Sequence, residues 1–209
     1  MKHLLPLLLL LTLTLTAHSQ HIHAYLTSGI ALSQIEGDEL KGYRKAGYVG
    51  GIGALTALDK HNRWGLSIET LFSQRGAYNL SPQPYAADIA LNYIDIPLLF
   101  HYQDAIGGML LGVGFSYGRL VGQPHFRGLV NDSFLPDTND FAFLYNDVAA
   151  IADARFTIWR GLQFNLRWQY SIIPVKRDWH FAEYKQNRWL NWSNNCYNNS
   201  IIIRLIYQF

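Results

Sequence analysis

The chain has one cysteine, Cys196, in 209 residues. No disulfide can form within it, and no cysteine follows the start of the chain to take a lipid anchor. It has no excess of either charge: 17 Lys+Arg stand against 15 Asp+Glu, a formal net charge of +2, which offers nucleic acid no basic surface. Beyond residue 15 there is no apolar run long enough to cross a membrane as a helix, so any crossing must be made by strands. There is also no Pro/Ser-rich linker and no charge block, and the roughly 190 residues that follow the first segment read as one domain. The most informative shortage is of lysine inside the strand-like segments. All six lysines lie in the first residues, in connections or near strand ends.

The first residues have their own chemistry. Lys2 and His3 precede a run from Leu4 to Leu15 broken only by Pro6, Thr12 and Thr14, and Ala17-His18-Ser19 then supplies the small residues that a signal peptidase reads. Residues 1–19 are expected to be a signal peptide cut before Gln20, leaving 20–209 as the folded domain. A membrane anchor is the other reading, but the run falls short of the roughly 20 apolar residues that a spanning helix needs.

What the rest of the chain has in abundance is alternation. "LQFNLRWQYS" (162–171) puts Leu162, Phe164, Leu166, Trp168 and Tyr170 on one face and Gln163, Asn165, Arg167, Gln169 and Ser171 on the other. Eight such segments fall near 22–33, 43–58, 63–76, 90–103, 108–122, 147–159, 161–173 and 196–209. The links between them alternate in length. Those at 59–62, 104–107 and 160–161 are tight, whereas 34–42, 77–89, 123–146 and 174–195 are long and polar. An even strand number with short turns at one end and loops at the other is the plan of an outer-membrane barrel.

The polar face cannot be a solvent face, because a soluble barrel would fill it with Lys and Glu. In the fifth segment Met109, Leu111, Val113, Phe115 and Tyr117 oppose Leu110, Gly112, Gly114, Ser116 and Gly118, and small residues suit the crowded inside of a narrow barrel. The oily faces are therefore expected to meet lipid. The second segment, "GYVGGIGALTAL", is small on both sides, and its facing stays open. Aromatics sort to both ends: Trp64, Tyr102, Trp159, Tyr207 and Phe209 by the short turns, Phe72, Tyr117, Tyr170 and Tyr197 by the loops. Two girdles at interface height fit a bilayer. The fold class expected is all-β, an eight-stranded antiparallel up-and-down transmembrane barrel with periplasmic turns and extracellular loops.

The stretches "GIALSQIEGDELKGYRKAGYVGGIGA" (29–54), "LSIETLFSQRGA" (66–77), "LNYIDIPLLFHY" (91–102), "GMLLGVGFSYGRL" (108–120) and the final "IIIRLIYQF" are similar to the PorT-like outer-membrane β-barrel family. The SQI-x-GD stretch, the Tyr-Ile-Asp-Ile-Pro run at Pro97 and the closing Phe209 carry most of the likeness. The last loop, with "RDWHFAEYKQNRWLNW" (177–192), departs from the short Gly/Asn-rich hairpin usual there. The resemblance implies an eight-stranded outer-membrane barrel and a link to a secretion and gliding complex. Ile203, Leu205, Tyr207 and Phe209, apolar or aromatic at every second place, resemble the signal read by the barrel-assembly machinery.

Parity places Glu69, Asp95, Asp153, Arg155, Arg167 and Arg204 on the inner face. Three acids against three arginines should form a hydrogen-bonded ion network, since an unpaired buried charge is costly. A proton or ion path is the functional alternative, but eight strands leave room only for side chains. Pro97 cannot donate to the ladder and is expected to mark a bulge.

No catalytic motif is present. His125 with Asp137 or Asp140, and His180 with Asp178, are ordinary loop residues until brought together, and barrel hydrolases or acyltransferases are the least favoured class. His21 and His23 lie two apart without a third ligand, so no metal and no cofactor is expected. Binding is expected at the loops. Trp179, Phe181, Tyr184, Arg188, Trp189 and Trp192, with Arg177 and Lys185, gather in the last one, and Trp, Tyr and Arg carry most interface energy. Folding back over the lumen is the alternative for them. Beyond membrane lipid, the partners expected are the assembly machinery, a secretion complex, or an extracellular protein or glycan.

Overall fold

A computed structural model describes residues 22–37, 42–78, 87–104, 108–128, 143–177 and 195–209. Nine strands run through them: β1 Ile22–Glu36, β2 Lys45–Ala57, β3 Trp64–Tyr78, β4 Ala87–Gln103, β5 Met109–Leu120, β6 His125–Gly128, β7 Asn146–Trp159, β8 Leu162–Ser171 and β9 Tyr197–Gln208. Every neighbouring pair is antiparallel, and β1 pairs with both β2 and β9, from Tyr25↔Gln208 to Glu36↔Tyr197, so the sheet closes on itself. Closure removes every edge along the wall, the condition for a sheet to stand in hydrocarbon.

The ninth strand is not a ninth stave. β5 pairs with β4 up to Leu120↔Tyr93, the chain breaks at Gly122 (φ 74°), and β6 resumes along the same strand at His125↔Ala90. The stretch expected to be a loop from 123 to 146 thus contains four residues of strand, His125–Gly128. The barrel is eight-stranded. No described helix is long and apolar enough to cross a membrane.

Pro97 does not carry the expected bulge. Between β3 and β4 the pairs opposite Ile96 and Pro97 drop out, but Ile68↔Leu98 and Leu71↔Asp95 keep one register, and on the other side Pro97↔Ser116 lies in an unbroken ladder. Proline removes a donor without inserting a residue, so pairing lapses and the strand runs on. The register shift instead falls between Thr157 and Trp159, against the Arg160–Gly161 turn.

The faces separate cleanly. Leu26, Ile30, Ile68, Leu98, Val113, Phe115 and Leu205 are half or more exposed and point outward. Tyr48 and Ile52 join them while Val49 is buried, which settles the facing of β2. At the short-turn end Trp64 lies 4.8 Å from Tyr102, ring to ring; at the loop end Tyr170 stacks on Tyr197 at 6.3 Å. Inside, glycine allows close strand approach: a Cβ on Gly29 would land on the Ile203 carbonyl oxygen, and one on Gly114 on that of Leu98.

Candidate functional site in the barrel lumen

The inward residues form layers along the barrel axis. Nearest the short turns is a basic-rich layer centred on Glu69. Its Oε1 accepts hydrogen bonds from Tyr25 Oη (2.8 Å), Arg155 Nη2 (3.1 Å), Arg167 Nη2 (3.1 Å) and Arg204 Nη2 (2.9 Å). Its Oε2 accepts from Arg167 Nη1 and Arg204 Nη1, both at 2.9 Å. Asp153 accepts from Arg155 Nε (3.2 Å) and Arg167 Nε (2.8 Å), and Arg204 Nε donates to Asn165 Oδ1 at 2.6 Å. His101 Nε2 lies 2.7 Å from Ser67 Oγ at the edge of the layer. All these side chains are buried. Paired fork geometry of this kind is what a guanidinium needs away from water.

Above it lies an apolar belt of Ala31, Val49, Leu71 and Ile202. Then comes an acid-rich layer. Arg75 pairs with Asp95 through Nη2 and with Asp147 through Nη1 (3.0 Å), and its guanidinium lies 5.0 Å from the centre of the Tyr93 ring. Asn198 Nδ2 donates to Asp147 at 3.2 Å, and Ser73 Oγ to Asp95. Nearest the loops, Ile35, Leu91, Tyr93, Leu120, Phe143, Val175 and Cys196 pack into an apolar cap.

The six inward residues named from parity are all buried, but they do not make one network. Glu69, Asp153, Arg155, Arg167 and Arg204 meet, whereas Asp95 belongs to the second layer with Arg75 and Asp147, two residues the sequence reading missed. The signal was present. Arg75 continues the parity of Glu69, Leu71 and Ser73, and Asp147 that of Asp153, Ile151 and Ala149. In formal charge the lower layer has three cations against two carboxylates, and the upper one cation against two. Six residues of β3 separate Glu69 from Arg75, roughly 20 Å of strand. At that range two unit charges interact by only about 1 kcal/mol at an effective dielectric of ~20. Neither imbalance cancels the other.

At the short-turn end the lumen opens into a cavity of about 280 Å³, lined by residues of every stave, among them His23, Asn62, Gln103, Arg155, Thr157, Gln163 and Gln208. The turn beside it is pinned by Asp59, whose carboxylate accepts from the backbone N–H of Trp64 (2.8 Å) and of His61 (3.2 Å). The Trp64 bond holds the Asp59 carboxyl below its ordinary value of 3.8.

Of the other sequence candidates, Ile203, Leu205, Tyr207 and Phe209 face outward at the end of β9, with Tyr207 and Phe209 edge to face at 5.3 Å. Trp179, Phe181, Tyr184, Arg188, Trp189 and Trp192 lie outside the described residues, as do residues 1–19 and His180. His125 is exposed at the start of β6. Among the described residues no three His, Cys, Asp or Glu side chains gather to hold a metal.

Residues 4–209 match the family described as the outer membrane protein beta-barrel domain. The chain belongs to that family. This outer-membrane barrel matches no curated protein. It is similar in fold to Ail, the attachment invasion locus protein of Yersinia pestis, solved in complex with the heparin analogue sucrose octasulfate (14% identity, 90% of this chain and 99% of that one, TM-score 0.45). Neisserial surface protein A is similar at 10% identity, over 90% of this chain and 97% of that one, with a TM-score of 0.46. OprG from Pseudomonas aeruginosa is similar at 13% identity, over 90% and 94%, with a TM-score of 0.35.

Proposed function

We propose that this outer-membrane barrel is a non-conducting, non-catalytic surface protein whose extracellular loops bind a protein or glycan partner. The observation that carries the reading is the contrast between its two ends. Every strand connection of more than about six residues leaves from the end where the apolar cap sits, while the strands at the opposite end are joined only by short connections. A lumen occupied by eight paired charges and two apolar layers leaves no continuous water path. Loops on a rigid barrel are where recognition is built.

On this reading residues 1–19 are the export signal, and the outward register of Ile203, Leu205, Tyr207 and Phe209 serves the assembly machinery. The likeness to the PorT-like family favours one partner class in particular, a secretion complex in the same membrane. Membership in such a complex is the second reading.

The test is to replace 178–191 with a short Gly/Ser link. Closure entropy changes only slowly with loop length, so the shortened barrel should still assemble and shift on an SDS gel after boiling. Partners recovered with the native protein after gentle detergent extraction should be lost. Failure to assemble would make the loop a structural cap, and unchanged recovery would move recognition to 129–145. Ala substitution of His125 and His180 addresses catalysis, and both variants should retain whatever activity the native protein shows on membranes.

A further inference from the structure

We propose that the mouth of the lumen at the short-turn end is a binding site for one small oxyanion, a carboxylate or phosphate group on a compact polar body. The proposal goes beyond the loop-binding reading and does not use the loops.

Three observations converge on it. First, the cavity of about 280 Å³ lies at the lower limit of the ~300–1,000 Å³ that small-molecule sites span, so it suits a single compact solute. Second, its lining is one-sided in charge. Arg155 is the cation in the wall, the remaining polar groups are amides, hydroxyls and His23, and no carboxylate borders the space. Third, Arg155 belongs to the layer in which three guanidinium groups share two carboxylates. That layer is closed off on its other side by Leu71, Val49, Ala31 and Ile202. The surplus positive charge can therefore be met only from the mouth.

The chemistry follows from the donors. A guanidinium pairs with planar carboxylate or phosphate oxygens. Gln163 and Gln208, joined amide to amide at 3.2 Å across the rim, and Thr157 beside them supply uncharged donors for the rest of the solute. One surplus cation calls for one negative charge, and a small low-dielectric recess strengthens the attraction relative to open surface. In the membrane the site would face the periplasm, and that sidedness alone rests on the orientation proposed above.

The experiment uses the barrel extracted from outer membranes into zwitterionic detergent, where both ends are open to solvent, so its outcome is independent of orientation and of loop function. Inorganic phosphate and acetate are titrated separately at constant ionic strength, with calorimetry and the Arg155 side-chain NMR signal as readouts. Saturable one-to-one binding by at least one of them, with a shift of the Arg155 signal, is expected. Gln163→Glu puts a carboxylate on the rim and should weaken binding by about tenfold, through repulsion of the ligand and neutralisation of the surplus. Thr157→Asp is the substitute should that variant not assemble. Arg119→Gln, which removes a cation at the exposed loop end, should leave affinity unchanged. The absence of saturable binding by both anions overturns the proposal, as does an equal loss in Arg119→Gln and Gln163→Glu.

Discussion

The two polar layers of the lumen are built from the same residue types and hold opposite imbalances. In the lower one Glu69 alone takes bonds from three arginines and Tyr25; in the upper one Arg75 alone serves Asp95 and Asp147. The difference lies in which sign is the hub. An arginine cannot shed its proton, so a layer with surplus guanidinium depends wholly on its carboxylates. A layer with surplus carboxylate can take up a proton and neutralise itself. The lower layer should therefore be brittle and the upper one tolerant.

Removing one carboxylate from each layer sets the contrast at its sharpest. Glu69→Gln leaves three buried guanidiniums sharing Asp153, and should destabilise the barrel by at least the ~3–5 kcal/mol typical of a broken buried pair. Asp95→Asn leaves Arg75 paired one to one with Asp147 and should cost about 1 kcal/mol, the scale of a single hydrogen bond. Urea midpoints of the heat-modifiable form in lipid measure both, and similar losses would end the distinction. Smaller still is the expected cost of Trp168→Leu. It faces lipid one position from buried Arg167 and gives up one bond from Nε1 to Asn199 (2.9 Å), again about 1 kcal/mol or less. A loss matching that of Arg167→Leu would mean that the two faces had been inverted.

The smallest effect lies at the rim. The Asp59 carboxyl is held below 3.8 in the folded turn by the Trp64 N–H, so its contribution is complete above that value and is lost as pH falls through the lower folded one. Amide exchange at Trp64 should quicken only in that acid window, and Asp59→Asn should remove the pH dependence without moving the unfolding midpoint measurably.

The sequence discloses the wall of this barrel more fully than its interior. Alternation in 162–171 fixes which side of β8 meets lipid, because a one-residue slip would bury Trp168 and expose Arg167 to hydrocarbon. Small inner residues in β5 and the lack of lysine within strand interiors indicate the sense of the other faces. Which inner charges meet is set differently. Glu69 on β3 reaches Arg155 on β7 and Arg204 on β9 across the lumen, and those contacts depend on the stagger accumulated around the whole ring. No local pattern encodes that stagger, so parity alone does not separate Asp95, which pairs with Arg75, from the arginines around Glu69. Arg75 and Asp147 are hard to read from sequence for a simpler reason: both stand near strand ends, where alternation fades into loop. β6 was hidden by Gly122 and Pro124, which read as punctuation and proved to be a brief interruption of one strand.

The opposed imbalances also have an electrical consequence. β-sheets carry almost no net dipole, since adjacent strands cancel. Here the two buried ion layers supply one instead, a formal surplus of positive charge in the layer towards the short turns and of negative charge in the layer towards the loops, roughly 15 Å apart along the membrane normal once a strand tilt of ~35–45° is allowed for, in a core of ~30 Å. A transmembrane voltage acts on a charge crossing the full core with about 2.3 kcal/mol per 100 mV. This dipole therefore couples to the same voltage with about 1.2 kcal/mol per 100 mV. The two ion layers thus couple the stability of the barrel to the potential of the membrane around it.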